Sequence, residues 1–183
     1  MKALRYFVIF FTSILALAVF FLWYVGIFDQ LKLSKTEMPE YLVAGISIKG
    51  SYQQIGPSFE RVDSLLAIHN VSSQIRFGVY YNDPANTPEA ELESFVGCVL
   101  TAQDFTRLDA IETKEIKLDK IPAGEALSVE MDIRSDLSYM IGPIRAYPVL
   151  EAAAERDSLD IALVYELYKL DEEKAQYTML ILN

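Results

Sequence analysis

Glu166 is the residue whose neighbours in the sequence point most directly to chemistry. It is a lone carboxylate in a predicted strand, 161–168, whose side chains alternate between two faces. We expect Glu166 and Tyr168 to lie on the open face of the sheet, and the other set to lie under helices: Ile161, Leu163, Tyr165 and Leu167. A carboxylate framed by aromatic rings suits a cationic or amphipathic organic ligand, because the ring faces attract the cation and the carboxylate supplies the counter-charge.

Four tyrosines are candidates to complete such a ligand-binding site: Tyr52, Tyr81, Tyr139 and Tyr168. An internal repeat predicts that Tyr81 lies opposite Glu166, whereas Tyr52 and Tyr139 precede two predicted helices. The simpler alternative is an ordinary exposed glutamate in a half-solvated strand, with tyrosines that only cover the sheet or hold a helix against it. Composition by itself favours that alternative.

The sequence lacks the common patterns of catalytic and metal sites. It contains no glycine-rich phosphate loop, no nucleophile elbow and no metal-ligand spacing of His, Cys and Asp. His69 has no triad partner nearby, and we interpret it as a capping or solvated residue. Cys98 is the only cysteine, so we expect it to be a small apolar residue inside a strand. We therefore favour a protein that is not an enzyme over a hydrolase, and we expect neither a metal nor a cofactor.

A duplicated supersecondary unit is predicted to position these residues. Residues 41–102 follow the order strand, helix, strand, strand, and residues 121–183 follow it again. Ser-Tyr-x-x-Ile-Gly-Pro at 51–57 recurs one residue shorter at 138–143, and a Val-Tyr pair recurs in nearly the same register. The predicted fold class is α+β, with duplicated βαββ units forming an antiparallel sheet, helices packed on one face, and one transmembrane helix before them.

The N-terminal segment is predicted to be an uncleaved signal-anchor. No charged residue lies between Tyr6 and Phe28, and 23 helical residues span about 34 Å, enough for a hydrocarbon core of about 30 Å. Trp23 and Tyr24 lie where an interfacial aromatic belt is expected. The alternatives are a cleavable signal sequence, whose apolar region is usually shorter and ends in small residues, and a buried core helix.

Charge predicts the orientation and the class of partner. Lys2, Arg5 and the terminal amine outnumber Lys32 and Lys35, which places the domain on the non-cytoplasmic side. After residue 28 there are 26 acidic and 14 basic residues, so we expect no nucleic-acid partner. The predicted division of the chain is a cytoplasmic tip and single-pass anchor at 1–28, a juxtamembrane linker at 29–40 and a folded domain at 41–183.

Four short segments occur in the order and spacing of a known family: Gly50–Tyr52 before a helix, Gly78–Pro84 followed by Gly97, Ile121–Gly124 before the second repeat, and Val164–Tyr168. Together with the duplication, they make residues 41–183 similar to the GyrI-like effector-binding domain. That domain also occurs in DNA gyrase inhibitor proteins and in some multidrug-responsive transcription regulators. The resemblance implies a two-repeat α+β domain whose cleft binds small, often cationic and lipophilic molecules, with Glu166 at its centre.

Three functions remain open on this basis. The favoured one is a membrane-anchored binding module in which Glu166 holds a small cationic or amphipathic ligand, together with Tyr52, Tyr81, Tyr139 and Tyr168. Some family members resemble hydrolases of electrophilic compounds, which implies Glu166 as a general base. The third function is a membrane-tethered scaffold whose acidic surface recruits a protein partner of unknown identity.

Overall fold

The structure is a computed structural model that describes residues 2–52, 55–110 and 115–182. Its helices are Lys2–Tyr24 (α1), Ile55–Ile68 (α2), Ala102–Asp109 (α3) and Ser138–Arg156 (α4). Its strands are Leu33–Met38 (β1), Tyr41–Lys49 (β2), Ile75–Tyr80 (β3), Glu93–Val99 (β4), Lys117–Ile121 (β5), Gly124–Asp132 (β6), Ile161–Lys169 (β7) and Lys174–Ile181 (β8). A short 3-10 helix, Glu89–Glu91, precedes β4.

All eight strands form one antiparallel sheet in the order β1-β6-β8-β7-β3-β4-β2-β5. Exchanging the unit β2-α2-β3-β4 with β6-α4-β7-β8, and edge strand β1 with edge strand β5, gives the same strand order read from the opposite edge of the sheet. The predicted duplication is thus confirmed. Its pseudo-twofold axis passes between β3 and β7, which pair at the centre of the sheet.

The predicted linker at 29–40 is wrong over half of its length. Leu33–Met38 forms β1 and pairs with β6 from Leu33↔Val129 to Met38↔Gly124. The strand lies at an edge of the sheet, where residues 34–37 are exposed and include charged side chains. Charged, exposed residues are typical of edge strands, and they hide the apolar alternation by which a strand is usually predicted.

The sheet is curled, because its connections are too short for a flat one. β1 is first and β2 seventh in the strand order, yet only Pro39 and Glu40 separate them. Six strand spacings of about 4.8 Å amount to roughly 29 Å, whereas three peptide links reach about 11 Å. Pro122 and Ala123 join β5 to β6 under the same constraint. The Nζ atom of Lys120 lies 3.0 Å from Oε1 of Glu40 across this junction.

Each face of the curled sheet carries its own apolar core. We call the concave side the inner face, and it holds Met38, Val43, Phe77, Val79, Phe95, Ile121, Ala126, Tyr165, Leu167 and Leu180. We call the convex side the helix face, because α2 and α4 pack on it with Phe59, Ala146 and Leu150. The prediction that the helices pack on one face of an antiparallel sheet is confirmed.

The predicted orientation of β7 is wrong. Tyr165 and Leu167 lie on the inner face, whereas Glu166 and Tyr168 lie on the helix face, where Tyr147 of α4 contacts Glu166. The alternation itself is as predicted, but its two faces are interchanged. The curl of the sheet buries the inner face without any helix. Both faces of β7 are therefore buried, and the more apolar set of side chains does not identify the face that carries the helices.

Helix α1 projects from the domain and is tied to it at one end. Its segment Leu4–Tyr24 has a mean hydropathy of 2.4, and none of it is buried. Its length and composition are sufficient to span a membrane, and a signal sequence meets the same criteria. The guanidinium group of Arg145 donates to the backbone carbonyls of Gly26 and Asp29, and Nη2 of Arg134 lies 2.7 Å from Oδ2 of Asp29. The domain is therefore held directly against the end of α1.

We expect the substitution Gly142→Ala to destabilise the fold, because α4 approaches the sheet closely at this glycine. A Cβ atom at Gly142 would overlap the hydroxyl oxygen of Tyr177 and lie 2.6 Å from its Cζ. Tyr177 is fully buried, so its ring has little room to move. Overpacking of this kind lowers the free energy of unfolding by about 1–3 kcal/mol, which urea unfolding measures.

The control for this experiment is Gly56→Ala. Gly56 lies in α2 with nothing within 4 Å of the added Cβ atom. An alanine there is expected to raise the free energy of unfolding by about 0.4–1 kcal/mol. Equal stability of the two alanine variants would contradict the close packing of α4 on β8.

Candidate functional site

Glu166 lies on the helix face at the centre of the sheet. Its register partners are Gly78 on β3 and Tyr177 on β8. Only 2% of Glu166 is exposed, although a carboxylate is among the groups most rarely buried. A Cβ atom at Gly78 would lie 2.8 Å from the hydroxyl oxygen of Tyr80. The absence of a side chain at Gly78 therefore lets Tyr80 fold back along its strand toward the carboxylate.

Three tyrosine hydroxyl groups donate hydrogen bonds to Glu166. Tyr147 of α4 donates to Oε1 at 2.7 Å, and Tyr80 of β3 donates to Oε2 at 3.1 Å. Tyr168 of β7 donates to the same Oε2 atom. The carboxylate thus joins the two central strands to the helix above them, and all of its observed side-chain partners are neutral donors.

Burial controls the ionisation of this cluster. It raises the pKa of Glu166 above the usual 4.5, and the three phenol hydrogen bonds offset only part of that rise. Burial and the charge of Glu166 also raise the pKa of Tyr80, Tyr147 and Tyr168 well above 10, so these phenols remain protonated donors. Within the described residues, no cationic side chain contributes to the pKa shift of Glu166.

Two further tyrosines form an aromatic wall around the donors. The ring centroid of Tyr52 lies 5.1 Å from that of Tyr80, and the ring centroid of Tyr139 lies 5.3 Å from that of Tyr168. Tyr52 precedes α2 and Tyr139 begins α4, so they occupy matching positions in the two repeats. The wall is therefore nearly symmetric about Glu166. Negatively polarised ring faces beside a carboxylate form an environment that attracts organic cations.

The site is closed to solvent in this structure. Glu166 is 2% exposed, and the rings of Tyr139, which is 38% exposed, and of half-buried Tyr52 pack on two of its donors. A surface hollow of about 280 Å³ borders Tyr139, Leu170 and the segment 133–136, and Glu166 is not among its lining residues. A ligand that reaches the carboxylate must therefore displace part of the aromatic wall.

The structure brings together three of the four predicted tyrosines: Tyr52, Tyr139 and Tyr168. The predicted position of Tyr81 opposite Glu166 is wrong. Side chains alternate along β3, so Gly78 and Tyr80 share the face of Glu166, and a shift of one residue reaches the opposite face. Tyr81 is 54% exposed. The role of the predicted residues in ligand binding stays a prediction.

Two of the three donors, Tyr80 and Tyr147, are not among the ligand-binding residues predicted from the sequence. The alternation that starts at Gly78 is the signal that identifies Tyr80. Tyr147 directly follows Ala146, which is fully buried on the side of α4 that faces the sheet. A tyrosine beside the buried stripe of a helix usually has a hydrogen-bond partner for its hydroxyl, and that requirement is the available signal for Tyr147.

The remaining candidates for chemistry show no reactive geometry. The thiol of Cys98 is buried and donates to Oδ1 of Asp63 at 3.2 Å, and burial raises its pKa. A thiol with a raised pKa forms little of the reactive thiolate. In the part of the chain that the structure describes, no group of three or more His, Cys, Asp and Glu side chains is placed to hold a metal ion.

No protein-family model matches the sequence, and no curated protein is significantly similar to it. Solved structures match it in fold. The C-terminal domain of EcmrR aligns with a TM-score of 0.59 at 14% identity, covering 84% of this chain and 98% of that one. EcmrR in its complex with DNA aligns with a TM-score of 0.57 at 13% identity, covering 97% of this chain and 68% of that one.

A third solved structure is SAV2435 bound to tetraphenylphosphonium. It aligns with a TM-score of 0.53 at 8% identity, covering 83% of this chain and 94% of that one. At such low identities these likenesses establish a shared fold alone. That fold agrees with the two-repeat architecture expected from the GyrI-like resemblance.

We expect Glu166→Gln to raise the free energy of unfolding at neutral pH. Because the folded-state pKa is raised, the contribution of Glu166 to stability is complete below about pH 4.5 and is lost as the pH rises through the folded-state value. The amide has the same shape without the charge, so it removes the cost of burying an ionised carboxylate at pH 7. The gain should shrink as the pH falls toward 4.5.

Urea unfolding of both proteins across this pH range measures the effect. Glu151→Gln is the control, because Glu151 lies on the exposed side of α4 and the substitution changes the net charge equally. If Glu166→Gln is less stable than the wild type at pH 7, the phenol hydrogen bonds outweigh the cost of burying the charge.

Proposed function

We propose that this protein is a membrane-anchored module that binds a small cationic, amphipathic molecule, with Glu166 as its counter-charge. The observation that carries the proposal is a buried carboxylate whose observed partners are three neutral phenols. A buried charge without a partner of opposite sign is costly. A lipophilic cation would provide that opposite charge while its apolar groups replace water around the rings.

The shape of the site supports a ligand with apolar groups on either side of its charge. Tyr52, packed on the ring of Tyr80, forms one half of the aromatic wall, and Tyr139, packed on the ring of Tyr168, forms the other half. Small-molecule sites commonly combine such apolar walls with a few polar groups that orient the ligand. Tetraphenylphosphonium, the ligand of SAV2435, carries one positive charge surrounded by apolar rings, so it is a suitable probe for this site.

The membrane part of the proposal assigns α1 as a single-pass anchor. The helix contains 23 residues, which span about 34 Å, and it is exposed over its apolar length. Lys2 and Arg5 lie in its first turn, and their charge favours a cytoplasmic N-terminus with the domain on the other side. The contacts of Arg134 and Arg145 at the end of α1 support a site held close to the bilayer.

We expect tetraphenylphosphonium to bind the full chain in detergent, as measured by isothermal titration calorimetry. Glu166→Gln should weaken this binding roughly 30-fold or more, because loss of one member of a buried charge pair costs about 2–5 kcal/mol. Glu151→Gln changes the net charge equally but lies on the exposed side of α4, so its affinity should equal that of the wild type. Equal affinity of the wild type and Glu166→Gln would contradict the proposed counter-charge.

We also expect the affinity for this cation to decrease as the pH is lowered. The cation requires ionised Glu166, so binding should weaken as the pH falls from neutrality through the raised pKa of that carboxyl. Cation binding favours the ionised form, so it should release protons near that pKa, detectable with buffers of different ionisation enthalpy. The residual affinity of Glu166→Gln should not change with pH, and an equally flat profile in the wild type would count against the proposal.

A further inference from the structure

The outward side of α4 changes character along its length. Toward the N-terminus it presents Leu137, Met140 and Ile144, which are 38%, 67% and 73% exposed. Farther along, the same side presents Glu151 and Glu155, which are also exposed. Spacings of three, four and seven residues place all five side chains on one line along the helix. We call Leu137, Met140 and Ile144 the apolar stripe.

One end of the apolar stripe lies beside the end of α1. Arg145 directly follows Ile144, and its guanidinium group donates to the backbone carbonyls of Gly26 and Asp29. These two carbonyls belong to the turn that immediately follows α1. The C-terminal end of the stripe is thereby held at the level where the apolar helix ends.

The other end of the stripe is held in the same way. The hydroxyl group of Tyr24 donates to the carbonyl of Arg134 at 3.3 Å, and Nη1 of Arg134 lies 3.4 Å from the carbonyl oxygen of Tyr24. Leu137 follows Arg134 by three residues, so its Cα atom lies within about 11 Å of this contact. Both ends of the apolar stripe therefore lie near the last turn of α1.

We infer that the apolar stripe rests in the interface of the lipid bilayer that α1 crosses. The inference depends on the proposed membrane anchor. A helix with large apolar side chains on one side binds the boundary between headgroups and acyl chains, about 5–10 Å deep. When the apolar stripe contacts the bilayer, the end of α4 that carries Glu151 and Glu155 lies in water. One bilayer therefore explains both the apolar and the acidic part of the outward side.

This arrangement places the entrance of the ligand site at the membrane surface. Tyr139 lies in the first turn of α4, and its ring packs on the ring of Tyr168 on the helix face of the sheet. With lipid on the outer side of that turn, an amphipathic cation held among the headgroups lies next to the aromatic wall.

Tryptophan quenching in vesicles of phosphatidylcholine with brominated acyl chains tests the inference on the full chain. Trp23 is the only tryptophan, so the wild type reports the depth of the end of α1 alone. In a Trp23→Phe background, Ile144→Trp reports the apolar stripe and Ile68→Trp is the matched control. Ile68 is 72% exposed, close to the 73% of Ile144, and it ends α2 in the other repeat.

We expect brominated lipid to quench Ile144→Trp as strongly as Trp23 of the wild type, and to leave Ile68→Trp unquenched. Met140→Trp should behave like Ile144→Trp and provides a second position if one variant folds poorly. Quenching of Trp23 without quenching at either stripe position would overturn the inference and leave the anchor in place. Unquenched stripe variants that form dimers would assign the stripe to a second copy of the chain. An unquenched Trp23 would instead refute the proposed anchor.

Discussion

The burial of one carboxylate at the centre of the sheet is the constraint on which the rest of this domain depends. Glu166 takes hydrogen bonds from β3, β7 and α4, so the two central strands and the helix must converge on it. Two glycines make the convergence possible. Gly78 leaves space for Tyr80 beside the carboxylate, and Gly142 lets α4 approach the hydroxyl group of Tyr177. The hydrogen bonds of Glu166 therefore depend on the close packing of α4 against the sheet in the second repeat.

The curl of the sheet separates an apolar core on the inner face from the polar cluster around Glu166 on the helix face. The inner face encloses an apolar core that needs no helix to cover it, and Tyr165 and Leu167 contribute to that core from the same strand as Glu166. The helix face is therefore free to hold a polar cluster that is costly to bury. The apolar packing of the remaining structure must offset the cost of burying this carboxylate.

The contacts at the end of α1 give the site a defined position relative to the N-terminal helix. Arg134 and Arg145 bind backbone and carboxylate oxygens of the turn after α1, and β1 continues from that turn into the sheet. Only residues 25–32 separate α1 from β1. The orientation of α4 and of the aromatic wall is consequently coupled to that of α1.

The sequence by itself determined the apolar N-terminal helix, the duplicated βαββ unit and the alternation along β7 that separates Glu166 from Tyr165 and Leu167, because each depends on composition or on spacing along the chain. Only the tertiary structure decided that β1 joins the sheet, that Glu166 faces the helices, and that Tyr80 and Tyr147 reach it while Tyr81 does not. Alternation distinguishes two faces of a strand, but a curled sheet buries both, so the choice between them follows from the closure of the sheet. The donor on α4 depends on the approach of a helix to a distant strand, which local spacing does not encode.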